Sequence, residues 1–345
     1  MRNTYWLFRK LNLNLRVEII INISLLMLVA ILLIGFSMHE AKAWIIGSTS
    51  TPGALPTFYD AIFKYQHQAK LVKGFANASV YSSHVATQRG YMGYDKFAIT
   101  VGTMAAAQVP ATVIDLGYYK KLTKSLRKQG DVYVGVAWNA WSVNVGVKLP
   151  ADLSISAKFG MLKYSYADFD FDGKNAGGMI NYQIISPKAP PVKFVLWRGL
   201  SVGTGFMWQY NNTLYNYKSD PFTSGGYILK PKIKIFAKSE SYVIPMEIST
   251  AVRLLWVLNI HAGGGVDFAW GSSRLNYSAV GYVVGGGSAG LFAAYGKQGG
   301  TGPTNVLPKI FCGPGLNFGP VIIDIPFTYY FNNGFDIGVT LGVVW

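Results

Sequence analysis

The sequence predicts an all-β protein: a transmembrane antiparallel β-barrel of about 12 strands, within a range of 10 to 14. Three observations predict it. Stretches that alternate apolar and small or polar residues recur from Lys96 to Trp345, with turn-like breaks such as DFDFDG, SPKAPP, NFGP and NNG between them. Only 14% of the 345 residues are charged while half are hydrophobic, against about 25% charged in an ordinary soluble domain. Something other than water therefore solvates part of the surface. Finally, the chain has one long apolar run, at its N-terminus, whereas a multi-span helical protein needs several runs of about 20. The remaining way to hold much backbone in lipid is a closed barrel, which pairs every N–H and C=O between strands.

Residues 1–43 read as a cleaved secretory signal. Arg2, Arg9, Lys10 and Arg16 form a basic start, Leu25–Phe36 is the apolar centre, and Ala41-Lys42-Ala43 supplies the small residues of a cleavage site. A retained membrane anchor is the alternative. Without this segment's five basic and two acidic residues, the net charge of +15 becomes +12. Such a surface favours anionic partners: lipid headgroups, sulfated polysaccharide or nucleic acid. No nucleic-acid-binding motif is present.

Residues 44–94 form an N-terminal helical segment. Leu55, Phe58, Tyr59, Ile62 and Phe63 recur at helical spacing. The stretch from Ala69 to Tyr94 is rich in small and hydroxyl residues, which suits a segment inside a barrel lumen or one resting against the barrel as a periplasmic element. The barrel itself is expected over 95–345. Its first strand is Lys96–Val109. An inserted basic helix follows at 112–129, where Lys120, Lys121, Lys124, Arg127 and Lys128 crowd the second half. These cations either attract anions or face solvent and offset the helix dipole.

Alternating stretches then follow: 132–138, 141–149, 153–166, 176–185, 194–217, 227–237, 242–256, 258–270, 306–316, 320–331 and the terminal strand, with one more near 279–284. Trp138, Trp141, Trp197, Trp208, Tyr210, Trp256, Trp270, Tyr329 and Tyr330 near strand ends are candidates for the membrane interface. Residues 285–305 are expected to form a flexible outward loop. Their formal G-x-G-x-x-G (Gly285, Gly287, Gly290) lacks the βαβ setting of a dinucleotide site. Residues 211–226, with Tyr215, Tyr217 and Phe222, form the other loop suited to partner contact.

In the terminal strand, Phe335, Ile337, Val339, Leu341, Val343 and Trp345 share one parity, while Asp336, Gly338, Thr340, Gly342 and Val344 share the other. An alternating strand ending on an aromatic resembles the C-terminal signal read by the barrel-assembly machinery of bacterial outer membranes. Leu341, Val343 and Trp345 would carry it; the glycine usual five places from the end is Thr340 here. The order of GFANASVYSSHVATQRGYMGY, the strand FAITVGTMAAAQVP, a basic helical stretch and a barrel ending FGPVIIDIPFTYYF and GVTLGVVW is similar to the leptospiral surface-adhesin family of spirochaete outer-membrane proteins. That resemblance implies a surface barrel in outer-membrane lipid that binds host extracellular matrix. It identifies no adhesive residue.

Little in the chain points to catalysis or to a cofactor. The histidines after residue 43 are His67, His84 and His261, without a metal-ligand spacing. Ser83 and His84 are adjacent, and the expected role of His84 is a structural hydrogen bond. Asp168, Asp170 and Asp172 alternate before a glycine; a calcium loop and an exposed hairpin both fit. The lone Cys312 excludes an internal disulfide and is expected to be a packing residue. Two functions follow as expectations. One is an adhesin or receptor acting through outward loops. The other is a channel or transporter for small or hydrophobic solutes with an N-terminal plug.

Overall fold

The computed structural model describes residues 65–90, 96–109, 135–166, 168–187, 194–218, 222–224, 227–285 and 288–345. Within them lie one helix, α1 (Tyr65–Ser82), and thirteen strand segments. These are β1 (Phe97–Gln108), β2 (Gly135–Lys148), β3 (Leu153–Tyr166), β4 (Phe169–Ile185), β5 (Val195–Lys218), β6 (Phe222–Ser224), β7 (Tyr227–Leu254), β8 (Leu258–Gly285), β9 (Ser288–Thr301), β10 (Val306–Phe318), β11 (Val321–Asp324), β12 (Phe327–Tyr330) and β13 (Gly334–Val344).

The strands pair antiparallel in chain order from β1 to β5 and on through β7 to β8. β8 is long enough to hold two partners end to end, β9 along Ser273–Gly285 and β10 along Leu258–Phe268. β11 and β12 share one place between β10 and β13. Pairing of β1 with β13, from Ala98↔Val344 to Gln108↔Gly334, closes the ring. Counting β9/β10 and β11/β12 as one place each, and leaving out β6, which pairs only with β7, the ring has ten places. Closure satisfies the edge hydrogen bonds that lipid could not.

Ten is the low end of the expected range because several sequence stretches are parts of one strand. The stretches at 227–237 and 242–256 merge in β7, and those at 258–270 and 279–284 merge in β8. The stretches at 132–138 and 141–149 meet in β2 across a bulge. Gly102 faces Ser142 there, but Met104 faces Asn139. The extra residue reverses the parity, so Ala137 and Asn139 point inward below the bulge in sequence, and Ser142 and Asn144 beyond it.

Two loop expectations are overturned. Residues 288–301 of the expected flexible loop form β9, and residues 211–218 continue β5. Glycine and alanine hide the alternation in β9, but its backbone pairs along β8 all the same.

The barrel is inside out relative to a soluble protein. Ser142, Asn144, Asn175, Gln209, Asp267 and Asp336 are buried, while Val143, Ile180, Met246, Ile260, Ile310 and Leu341 are all more than 40% exposed on the outside. In the terminal strand every expected outward residue from Phe335 to Trp345 faces out, and Asp336, Gly338 and Thr340 face in.

Aromatic residues bound the outer apolar belt. At one end Phe97 stacks on Trp345 and Phe194 meets Trp256 edge-on. At the other, Trp208, Tyr242 and Trp270 align across β5, β7 and β8, and Phe206 packs 6.2 Å from Tyr242 and 6.3 Å from Trp270. From Leu254 to Tyr242, at a tilt of about 40°, the belt is about 30 Å tall, close to the thickness of an outer membrane's apolar layer. Trp141 and Tyr210 also lie on the outer side. Trp138 and Trp197 are half-buried and donate their ring N–H to Thr103 (3.1 Å) and Thr250 (2.9 Å). Tyr329 packs against Phe331. Tyr330 departs from the expectation: adjacent strand residues face opposite ways, so it points into the lumen and is fully buried.

Candidate functional site

α1 and the turns after it occupy the lumen. Small residues make this fit: Ala76, Ala78 and Ser79 are buried, and the backbone of Gly74 lies so close to Gly135 of β2 that a Cβ at Gly135 would collide with it. Tyr81 stacks on Tyr330 with ring centroids 3.9 Å apart. They belong to an apolar cluster with Val80, Met207, Val243 and Leu307. A Cβ at Gly334 would strike the Tyr81 ring. The Tyr81 hydroxyl donates towards Gln108 (2.5 Å) or Asn332 (2.9 Å), one oxygen from β1 and one from the turn before β13. Asn77 also donates to Gln108.

Past Ser82 the helix ends in tight turns, with Ala86 at φ 51°. Helix ends leave carbonyls without helical partners. Lys158 of β3 supplies donors there: its ammonium reaches the carbonyls of Ser83 (2.5 Å) and Val85 (3.0 Å) and the Thr87 hydroxyl (2.9 Å). A cation in this position also opposes the negative end of the helix dipole. Asn144 donates to the Ala86 carbonyl at 2.8 Å, Asn181 to the Gln88 carbonyl at 3.1 Å, and the Gln88 amide reaches β1 and β2.

The charged centre lies beside this segment. Lys309 of β10 directs its ammonium at Glu247 (2.6 Å), Asp267 (2.7 Å) and His84 Nε2 (3.0 Å). His84 Nε2 also lies 2.8 Å from Asp267. Arg89 donates to both Glu247 oxygens, at 2.8 and 3.3 Å, and its guanidinium lies over the Phe311 ring. All five residues are buried. Lys309 and Arg89 balance Glu247 and Asp267 charge for charge, so five groups from the lumenal segment, β7, β8 and β10 form one compensated network. Ion pairs this deep gain strength from the low dielectric and lose heavily if one partner is removed.

His84, Glu247 and Asp267 also bring donor atoms within 4.8 Å of one another. The Lys309 ammonium sits among them, in the place a metal cation would take. The arrangement is a charge-balanced clamp on the lumenal segment. Ser83 turns away from His84 towards the Met207 sulfur (3.8 Å), so the adjacent pair forms no dyad. His84 makes the structural hydrogen bond expected of it.

The remaining sequence candidates are scattered. Leu341, Val343 and Trp345 lie on the outer face. Asp170 and Asp172 share the outward face of β4, where Asp170 accepts from Ser165 and Asp172 lies 3.8 Å from Lys174. Cys312 is exposed on the outer side of β10 rather than packed. The basic helix 112–129 with Lys120, Lys121, Lys124, Arg127 and Lys128 lies outside the described residues, as do the signal segment and the helix expected from Leu55. Sequence reading missed Lys158, Glu247, Asp267 and Lys309. A signal was there: each charge occupies the small or polar parity of a strand in a chain with few charges.

No curated protein matches the chain. Among solved structures, the translocator domain of autotransporter NalP from Neisseria meningitidis aligns at 8% identity, with 78% of this chain and 93% of that one covered and a TM-score of 0.30. Neisserial surface protein A aligns at 11% identity, covering 73% and 99%, with a TM-score of 0.25. The Ralstonia pickettii toluene transporter TbuX aligns at 6% identity, covering 79% and 99%, with a TM-score of 0.26. These likenesses are too distant to carry an argument about function. One family model, by contrast, matches residues 47–345, from ahead of the lumenal segment through the closing strand. On that match the occupied, inside-out barrel belongs to the Lsa36-like family.

Proposed function

We propose that this barrel sits in the bacterial outer membrane and binds host extracellular matrix through strands that project from the cell surface. The observation that carries the reading is the unequal height of the wall. β7 and β8 are 28 residues each, whereas about 9 to 11 residues cross a membrane. Above Tyr242 and Trp270, β7 continues to Tyr227 and β8 to Gly285, with β5 and β9 alongside. About 14 residues of strand, or roughly 35 Å of height at the same tilt, stand clear of the belt. The opposite end has tight turns, such as 149–152, 255–257 and 319–320. Short turns face the periplasm and long elements face outward in such barrels. The resemblance to surface adhesins agrees with this assignment.

The test removes the projection and keeps the barrel. Asn212 lies opposite Lys238, and Ser273 opposite Thr301. Residues 213–237 and 274–300 are each replaced by Asn-Gly, which forms a two-residue hairpin turn. Bacteria displaying either form are applied to immobilised laminin, collagen and fibronectin, and heat-modifiable gel migration verifies that the barrel is folded. Adhesion of the intact protein alone supports the reading. Equal adhesion by both forms, or by neither, overturns it.

A second reading, gated passage of small or hydrophobic solutes, is favoured by one observation. The lumenal segment is held largely by hydrogen bonds and ion pairs, which water can replace when the segment leaves.

A further inference from the structure

We infer that the outer face of the projecting wall binds the phosphate groups of an anionic glycolipid in the leaflet around the barrel. Lys230, Lys232, Lys234 and Lys238 take four of the five alternate positions from 230 to 238 of β7, with Phe236 at the other, and all point outward. Arg274 lies directly opposite Lys238 on β8 and also faces out. Opposed like charges destabilise a strand pair, and a bound anion removes that cost. Among the described residues, no carboxylate lies within ion-pair reach of Lys230, Lys232, Lys234 or Arg274. Of the nearby outward acids, Glu240 stands next to Lys238 on the same face of β7 and accepts from Trp208 (3.0 Å) and Tyr242 (2.9 Å), while Asp172 lies beside Lys174, so the lysines further up the strand keep their charge unbalanced.

Position selects a lipid as the partner. Lys238 has the same strand parity as Tyr242 and stands two outward positions above it on β7, with only Glu240 between them, so the basic face begins at the upper edge of the lipid-facing belt. A molecule with acyl chains against Phe206, Met246 and Ile248 has its polar part beside Lys238 and Arg274. The Tyr210 ring lies there between Lys174 (5.6 Å) and Lys238 (4.8 Å), and Arg274 lies over Phe236 at 5.8 Å. The rings hold these cations close to the edge of the belt, where they can meet the phosphate of a phosphorylated sugar. The lysine ladder repeats about every 7 Å up the wall, so several anionic groups can be held at once. This inference needs only a barrel in a membrane and does not rest on matrix adhesion.

The test uses the mature protein in phosphatidylcholine vesicles containing either bisphosphorylated or dephosphorylated lipid A. Lipid A retained per barrel is measured after transfer to mild detergent. The intact protein should retain at least about fivefold more of the phosphorylated form, and K230Q/K232Q/K234Q/K238Q/R274Q should lose most of that preference. Salt at about 0.5 M should weaken it too. Equal retention of both lipids by the intact protein overturns the inference without reference to any variant. An unchanged preference in the folded variant also overturns it. Lysine-dependent heparin binding without a lipid preference overturns it in favour of a soluble sulfated polysaccharide.

Discussion

Lys309 ties the lumenal segment to the neighbouring strands β7 and β8 through one ammonium. Lys309→Met leaves Glu247 and Asp267 buried with one balancing cation fewer, and is expected to cost about 3–5 kcal/mol. Denaturant unfolding of the folded barrel in micelles measures this. Amide exchange in residues 83–89 should accelerate more than exchange in β1 or β13, because the clamp holds the segment rather than the wall. A uniform acceleration would assign Lys309 to the wall instead. A second residue-scale feature is the turn at Leu255 (φ 50°) and Trp256 (φ 61°), where apolar residues occupy the left-handed region. That conformation costs about 1–2 kcal/mol per residue. Both side chains are exposed, at 64% and 65%, so packing within the protein does not compensate, apart from the Phe194 contact. L255N/W256G should raise stability in micelles by about 1–3 kcal/mol. A loss of stability would show that the aromatic contact outweighs the strain.

At the scale of elements, the lumenal segment and the wall meet through different chemistry from that which holds the wall together. Strand pairing encloses the lumen without help from α1. Deletion of residues 55–91 should therefore leave a folded barrel that conducts in planar bilayers while the intact protein does not. Steady conductance by the intact protein would favour the transport reading, and silence from both folded forms would mean other groups close the lumen. The elements also separate what alternation reveals from what it conceals. β13 was legible, since one parity is wholly apolar and the other is small or polar up to Val344. β9 was not, because runs such as Ala293-Ala294 and Gly299-Gly300 offer no contrast between faces. β2 was split in two because its bulge breaks the period that marks a strand.

Across the whole molecule, one wall serves two settings. Its lower part carries aliphatic residues between aromatic rings, and its upper part, which we propose rises from the membrane, carries lysines on the outside. The truncation at Asn212 and Ser273 addresses this scale, since it should abolish matrix adhesion while the ring of ten places stays closed. Low charge, the absence of repeated apolar helices and a period of two determined by themselves that the chain forms a barrel and which residues of most strands face out. Those properties follow from local rules: side chains alternate, and lipid forbids unpaired backbone. The number of places in the ring, the seating of Ala69–Gly90 inside rather than beneath it, and the meeting of His84, Arg89, Glu247, Asp267 and Lys309 were decided by tertiary structure alone. Register between strands far apart in sequence sets those contacts, and a period of two shows which way a side chain points but not which distant residue it meets.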